Sequence, residues 1–147
     1  MPRFTDMFTE LVRVEIEIWN GLDAHLLTTA GLSLPQYQAL DAIRANAGAA
    51  RVQDISGRMA ITVGATSKVV DRLERDGLAI RTAHPTDRRS SIVSLTERGA
   101  SAVGVADDAA ESHLREELGG VLSDDGAVRL LDELSSLRVQ SRRGAGQ

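Results

Sequence analysis

The sequence predicts a mainly α protein with one small β-hairpin, ordered helix, helix, two short helices joined by a tight turn, hairpin, helix, helix. Three observations predict it. Apolar residues recur at helical spacing through both ends of the chain. Two short strand-like runs occur only near the middle. Glycine, proline and cap residues fall between these segments.

The first helix is expected over about Phe4–Leu27. Val14-Glu15-Ile16-Glu17-Ile18 alternates like a strand, but Phe4, Phe8, Leu11, Ile18 and Leu22 keep helical spacing and no turn residue precedes Gly21. Length favours the helix. A second helix begins at Ser33, where Gln36 three residues on completes a capping box and Pro35 occupies the first turn at no hydrogen-bond cost. Leu40 and Ile43 supply its buried side, and Gly48 to Ala50 ends it. Asp54–Met59 is a short helix, Ala60-Ile61 a turn, and Thr62 the cap of a helix running to Asp76 with Val69, Val70 and Leu73 inward. Gly77 suits the left-handed position past its end, with Leu78 returning to Leu73. Leu78–Ala83 and Ser91–Leu95 form the hairpin, and His84–Ser90 is its charged tip. Thr96 caps a helix to about Leu118, which Gly119-Gly120 breaks. Ser123, followed by Asp124 and Asp125, starts a last helix to about Val139, with Ser141–Gln147 a frayed tail.

Composition excludes several classes. A chain of 147 residues with 42% hydrophobic and 26% charged residues buries a core and reads as one domain. With no cysteine there is no disulfide, thiol nucleophile or cysteine zinc site. No apolar run reaches a membrane span and the N-terminus is no secretion signal, so no membrane partner and a cytoplasmic location are expected. His25, His84 and His113 are scattered, Asp107-Asp108 and Asp124-Asp125 read as solvated or helix-start carboxylates, and no phosphate-loop or nucleophile-elbow pattern occurs. Neither an enzyme nor a cofactor or metal is expected. Four aromatics, Phe4, Phe8, Trp19 and Tyr37, are too few for a single-strand stacking platform.

The net charge of −4 is uneven: −3 over residues 1–50, +3 over 51–98 and −4 over 99–147. With a Debye length near 8 Å at physiological salt, acidic ends do not oppose a basic centre. In that centre the two short helices form a helix-turn-helix candidate, whose second helix would enter a major groove. Thr62, Gly64, Ala65, Thr66, Ser67 and Lys68 at its start are small and polar, suited to close approach. Asp87-Arg88-Arg89 on the hairpin presents arginine for a narrow, negative minor groove, with Asp87 expected to hold the guanidinium.

The run from Val69 through Asp71, Arg72, Leu73, Gly77 and Leu78, then Arg81, Pro85, Asp87-Arg88-Arg89 and Leu95-Thr96-Glu97-Arg98-Gly99, resembles the MarR family of transcriptional regulators, most strongly over 51–99. The resemblance implies a winged helix-turn-helix with N- and C-terminal dimerisation helices. Residues 34–99 would be the DNA-binding part, and 1–30 and 100–141 the dimerisation helices. It implies a homodimeric regulator, a repressor, that binds a pseudo-palindromic operator in double-stranded DNA and is released by a small anionic or aromatic effector. Its recognition helix would be about Val63–Arg75 and its wing about Leu78–Leu95. The expected DNA-binding set is Thr62, Gly64, Ala65, Thr66, Ser67, Lys68, Arg72, Asp87, Arg88 and Arg89, with Arg89 entering the minor groove. Gly64 departs from a stronger helix former there, costing up to about 1 kcal/mol relative to alanine. Phe4, Phe8, Leu11, Leu130, Leu131, Leu134 and Leu137 exceed what a small winged core needs and read as dimer interface. The alternative is a winged-helix protein–protein interaction module without sequence-specific DNA binding.

Overall fold

The computed structural model describes residues 1–144. In chain order the elements are α1 (Phe4–Thr29), α2 (Leu34–Ala45), β1 (Ala49–Arg51), α3 (Val52–Met59), α4 (Val63–Arg75), β2 (Ala79–Ala83), β3 (Ser91–Leu95), α5 (Glu97–Leu118) and α6 (Asp124–Gly144). The chain divides into two units, Met1–Glu111 and Ser112–Gln147, at a boundary inside α5.

In the first unit, α2 is central. The Ser33 Oγ accepts the Gln36 N–H at 3.3 Å and the Gln36 Oε1 accepts the Ser33 N–H at 3.0 Å, so both arms of the expected capping box form. Leu40 and Ile43 of α2 are fully buried with Leu26 of α1, Ile55 of α3, Val70 and Leu73 of α4, Val93 of β3 and Val103 of α5. Val69 is only half-buried. α1 enters this core through its last turns alone, at Leu22 and Leu26; every residue from Met1 to Glu17 is exposed.

The strands form one antiparallel sheet in the order β1-β3-β2. Ala79 faces Leu95 and Ala83 faces Ser91 in the hairpin, while Ala50 faces Val93 on the other side. The third strand, β1, lies where the sequence pointed only to the end of a helix. Ala49-Ala50-Arg51 has no strand propensity of its own and pairs because β3 offers an open edge. α3 likewise begins two residues earlier than expected, at Val52, where the Asp54 Oδ2 accepts the Arg51 N–H at 3.1 Å.

In the second unit, Ser123 caps α6 by accepting the Gly126 N–H at 3.1 Å. α6 continues through Gly144, beyond the expected stop near Val139, so residues 141–144 of the expected frayed tail are helical. Residues 145–147 of that tail lie outside the described residues. No described residue of α6 is buried.

Candidate nucleic-acid interface

Three devices fix α4. At its start the Thr62 Oγ1 accepts the Ala65 N–H at 3.1 Å, satisfying one of the orphan donors of the first turn. At its end the Leu78 N–H donates to the Leu73 carbonyl at 2.8 Å and the Gly77 N–H to the Glu74 carbonyl at 3.0 Å, with Gly77 at φ +72°. This is a Schellman closure, and glycine carries the left-handed position without a Cβ penalty. Before α4, Ala60 holds the turn at φ 56°, where the Ser56 hydroxyl donates to the Ile61 carbonyl at 2.6 Å.

Thr62, Gly64, Ala65, Lys68 and Arg72 are exposed, and Ser67 is half-exposed. Thr66 does not belong with them. It is fully buried, and its hydroxyl donates to the Thr62 carbonyl at 2.9 Å. Thr66, Val70 and Leu73 stand at i, i+4 and i+7, so the inward stripe of α4 starts one turn earlier than its aliphatic residues suggest. The hydroxyl is tolerated inside because the helix backbone satisfies it.

At the hairpin tip Pro85 to Arg89 are exposed. Asp87 shapes this tip differently from the sequence expectation. Its Oδ1 accepts the Arg89 backbone N–H at 3.0 Å, and among the described residues it makes no ion pair with the Arg89 guanidinium. A short carboxylate captures the amide two residues on more readily than it follows a long, solvated side chain. The Ser90 N–H donates to the Asp87 carbonyl at 3.1 Å, and the His84 N–H to the Ser90 carbonyl at 3.2 Å, completing the turn. Asp87 therefore organises the backbone that carries Arg88 and Arg89.

Two residues outside the expected set tie the hairpin to its surroundings. Arg81 of β2 donates from Nη1 to Asp71 Oδ1 at 2.8 Å, and its backbone N–H donates to Glu74 Oε1 at 3.0 Å. Both acceptors lie on α4, so the wing strand and the recognition-type helix are joined directly. Arg51, from β1, places Nη2 at 2.7 Å from Nε2 of His84, at the root of the tip. No spacing rule predicts either pairing, since the partners meet only through the fold.

Among the described residues no group of histidine, aspartate and glutamate has the arrangement to hold a metal. No described helix is long and apolar enough to cross a membrane. What the site offers is hydroxyls, a small-residue helix start and cations, which is chemistry for binding a polyanion.

Comparison with known proteins agrees with that chemistry. A family model described as MarR family matches residues 30–90. The HTH-type transcriptional regulator MhqR of Bacillus subtilis (strain 168) is 31% identical over 139 residues, covering 93% of this chain and 92% of that protein. The uncharacterized HTH-type transcriptional regulator YfiV of the same organism is 37% identical over 94 residues, a match spanning 58% of that relative's length and 56% of this chain. Among solved structures, Sco3205, a MarR family transcriptional regulator from Streptomyces coelicolor in complex with DNA, superposes with a TM-score of 0.83 at 20% identity, over 93% of this chain and 86% of that one.

Proposed function

The chain belongs to the MarR family of transcriptional regulators, and from that premise we propose that it binds a pseudo-palindromic operator in double-stranded DNA as a homodimer and represses transcription by occupying it. α4 enters the major groove from its capped start, and the hairpin carries Arg89 into the adjoining minor groove. Residues 34–99 are the DNA-binding part; the helices before and after it serve dimerisation. A small anionic or aromatic effector releases the DNA.

The observation that carries this reading is the combination, in one unit, of an exposed and doubly fixed helix start with an exposed two-arginine tip whose backbone is preset. Presetting reduces the ordering cost of inserting a long side chain into a groove. A protein-docking module would have no use for a narrow arginine finger beside a helix of small residues.

Arg89→Ala tests it. In a gel-shift titration operator affinity is expected to fall by at least tenfold, about 1.4 kcal/mol, with the dimer unchanged in sedimentation. Equal affinity for the variant would remove the wing from the interface.

A further inference from the structure

His84 stands where the hairpin leaves β2, half-buried, with its two ring nitrogens engaged on opposite sides. Nδ1 accepts the backbone N–H of Thr86 at 3.2 Å and that of Asp87 at 3.1 Å, and so holds the turn that carries Arg88 and Arg89. A nitrogen that accepts two amides carries no proton. In a neutral imidazole the proton is then on Nε2. Nε2, however, lies 2.7 Å from Nη2 of Arg51, and a guanidinium has donors only and is always charged. Two donors therefore face each other at hydrogen-bond distance with no acceptor between them. The other tautomer gives Arg51 its lone pair but takes the acceptor away from both tip amides. One ring cannot serve both sides.

An anionic oxygen resolves the conflict. Seated beside the pair, it accepts from Nε2–H and from the Arg51 guanidinium together, and Nδ1 keeps the tip closed. Among the described residues no carboxylate forms an ion pair with the Arg51 guanidinium; Asp54 is engaged with the Arg51 backbone N–H instead. Both side chains keep partial solvent access. Arg51 immediately precedes α3, and the first helix of a helix-turn-helix crosses the nucleic-acid backbone while the second reads the groove.

We propose that Arg51 and His84 form a binding site for a phosphodiester oxygen of the duplex backbone, at the root of the wing. The site rests on the DNA-binding reading above and adds to it a contact that positions the protein without reading sequence. It also links that contact to the wing: a phosphate that fixes the Nε2–H tautomer fixes the Nδ1 acceptor and with it the backbone of Asp87–Arg89.

The test uses the full-length protein and a duplex that the wild type enriches from a random-sequence pool, with an unrelated duplex beside it. For Arg51→Ala the slope of log affinity against log salt is expected to shrink by about one, with both duplexes weakened by similar factors. Arg51→Lys keeps the charge and the slope. His84→Gln, whose amide nitrogen can stand in for Nε2, keeps sensitivity to neutralisation of the contacted phosphate, and His84→Asn, which can replace only the Nδ1 acceptor, loses it. Methylphosphonate substitution of the selected duplex, one phosphate at a time, reveals one position per half-site that costs the wild type affinity and costs Arg51→Ala markedly less. Where Arg51→Ala does not fold, Arg51→Gln, neutral but close in length, takes its place in the salt titration and in the scan. Selective binding by the wild type with an unchanged slope in Arg51→Ala, or with no such position in the scan, overturns this site alone. A pool from which the wild type enriches nothing sinks the parent reading and this site with it.

Discussion

Tyr37 donates its phenolic O–H to Asp107 Oδ1 at 2.6 Å, and the same oxygen receives Arg44 Nη2 at 3.3 Å. The Tyr37 hydrogen bond, then the Arg44 one, holds the Asp107 carboxyl below its ordinary range. Burial, then the bond to Asp107, pushes the Tyr37 phenol above its own. A carboxyl with a depressed folded-state value stabilises the fold above its unfolded value, near 3.9, and loses that contribution as pH falls through the folded one. A phenol with a raised value contributes below its unfolded value, near 10, and loses that contribution as pH rises through the folded one. The Tyr37–Asp107 contribution therefore spans roughly pH 4 to 10. Tyr37→Phe is expected to lower unfolding free energy by about 1 kcal/mol, the carboxylate being half-exposed and screened. In denaturant titrations the gap should hold between pH 5 and 9 and close below about pH 4. A gap that does not change with pH would refute the linkage. From sequence Tyr37 was legible only as one of four aromatics, and Asp107 as a solvated or helix-start carboxylate. Seventy residues separate them, and no local pattern marks such a pair. Ser33 and Gln36 were legible because their bond closes within three residues. The inward place of Thr66 was in principle legible too, since helical periodicity assigns it to the stripe of Val70 and Leu73 whatever its polarity.

At the scale of elements, most of the fold could be read from punctuation: Thr62 opening α4, Gly77 closing it, Thr96 opening α5. Thr96 does more than its spacing shows. Its Oγ1 accepts the Gly99 N–H at 2.9 Å and donates to the Gly77 carbonyl at 2.8 Å, joining the start of α5 to the end of α4. The two elements approach so closely that a Cβ on Gly99 would lie 1.9 Å from the Leu78 carbonyl oxygen. That oxygen is backbone and already accepts the Thr96 N–H at 3.2 Å, so it has little freedom to yield. Gly99→Ala should cost about 3 kcal/mol and lower the melting temperature by roughly 10 °C. Gly104→Ala, on the same helix with open space at its Cβ, should instead raise stability by about 0.5–1 kcal/mol. Equal melting temperatures for the two variants in calorimetry would contradict the close approach. The strand β1 stayed illegible for the opposite reason. Ala49-Ala50-Arg51 carries no turn chemistry or alternation, and its conformation comes from pairing with β3.

For the molecule as a whole, the decisive quantity is apolar surface left without cover. On α1, Phe4 is 82% and Phe8 66% exposed, followed by Met7, Leu11 and Val12; on α6, Leu131 is 65% exposed, with Leu130, Leu134 and Leu137 also open. Helices this amphipathic hold their shape in water mainly by burying that face, and contiguous exposed patches of this kind mark interfaces. A second copy of the chain covers them in the homodimer proposed above, the place expected from sequence for Phe4, Phe8, Leu11, Leu130, Leu131, Leu134 and Leu137. Homodimerisation also sets DNA affinity, because the second half-site binds at the effective concentration supplied by the first. Placing a charge at the face, as in Leu134→Glu or Phe8→Glu, buries it without a partner in any dimer. Each variant should shift micromolar protein from dimer to monomer in sedimentation equilibrium and weaken operator binding about a hundredfold, while an Arg89→Ala dimer stays intact. The two defects are thus separable: one removes the wing contact from an assembled reader, the other removes the assembly and leaves each wing sound. A Leu134→Glu protein that remains dimeric at the wild-type concentration dependence would assign that face of α6 to something other than self-association.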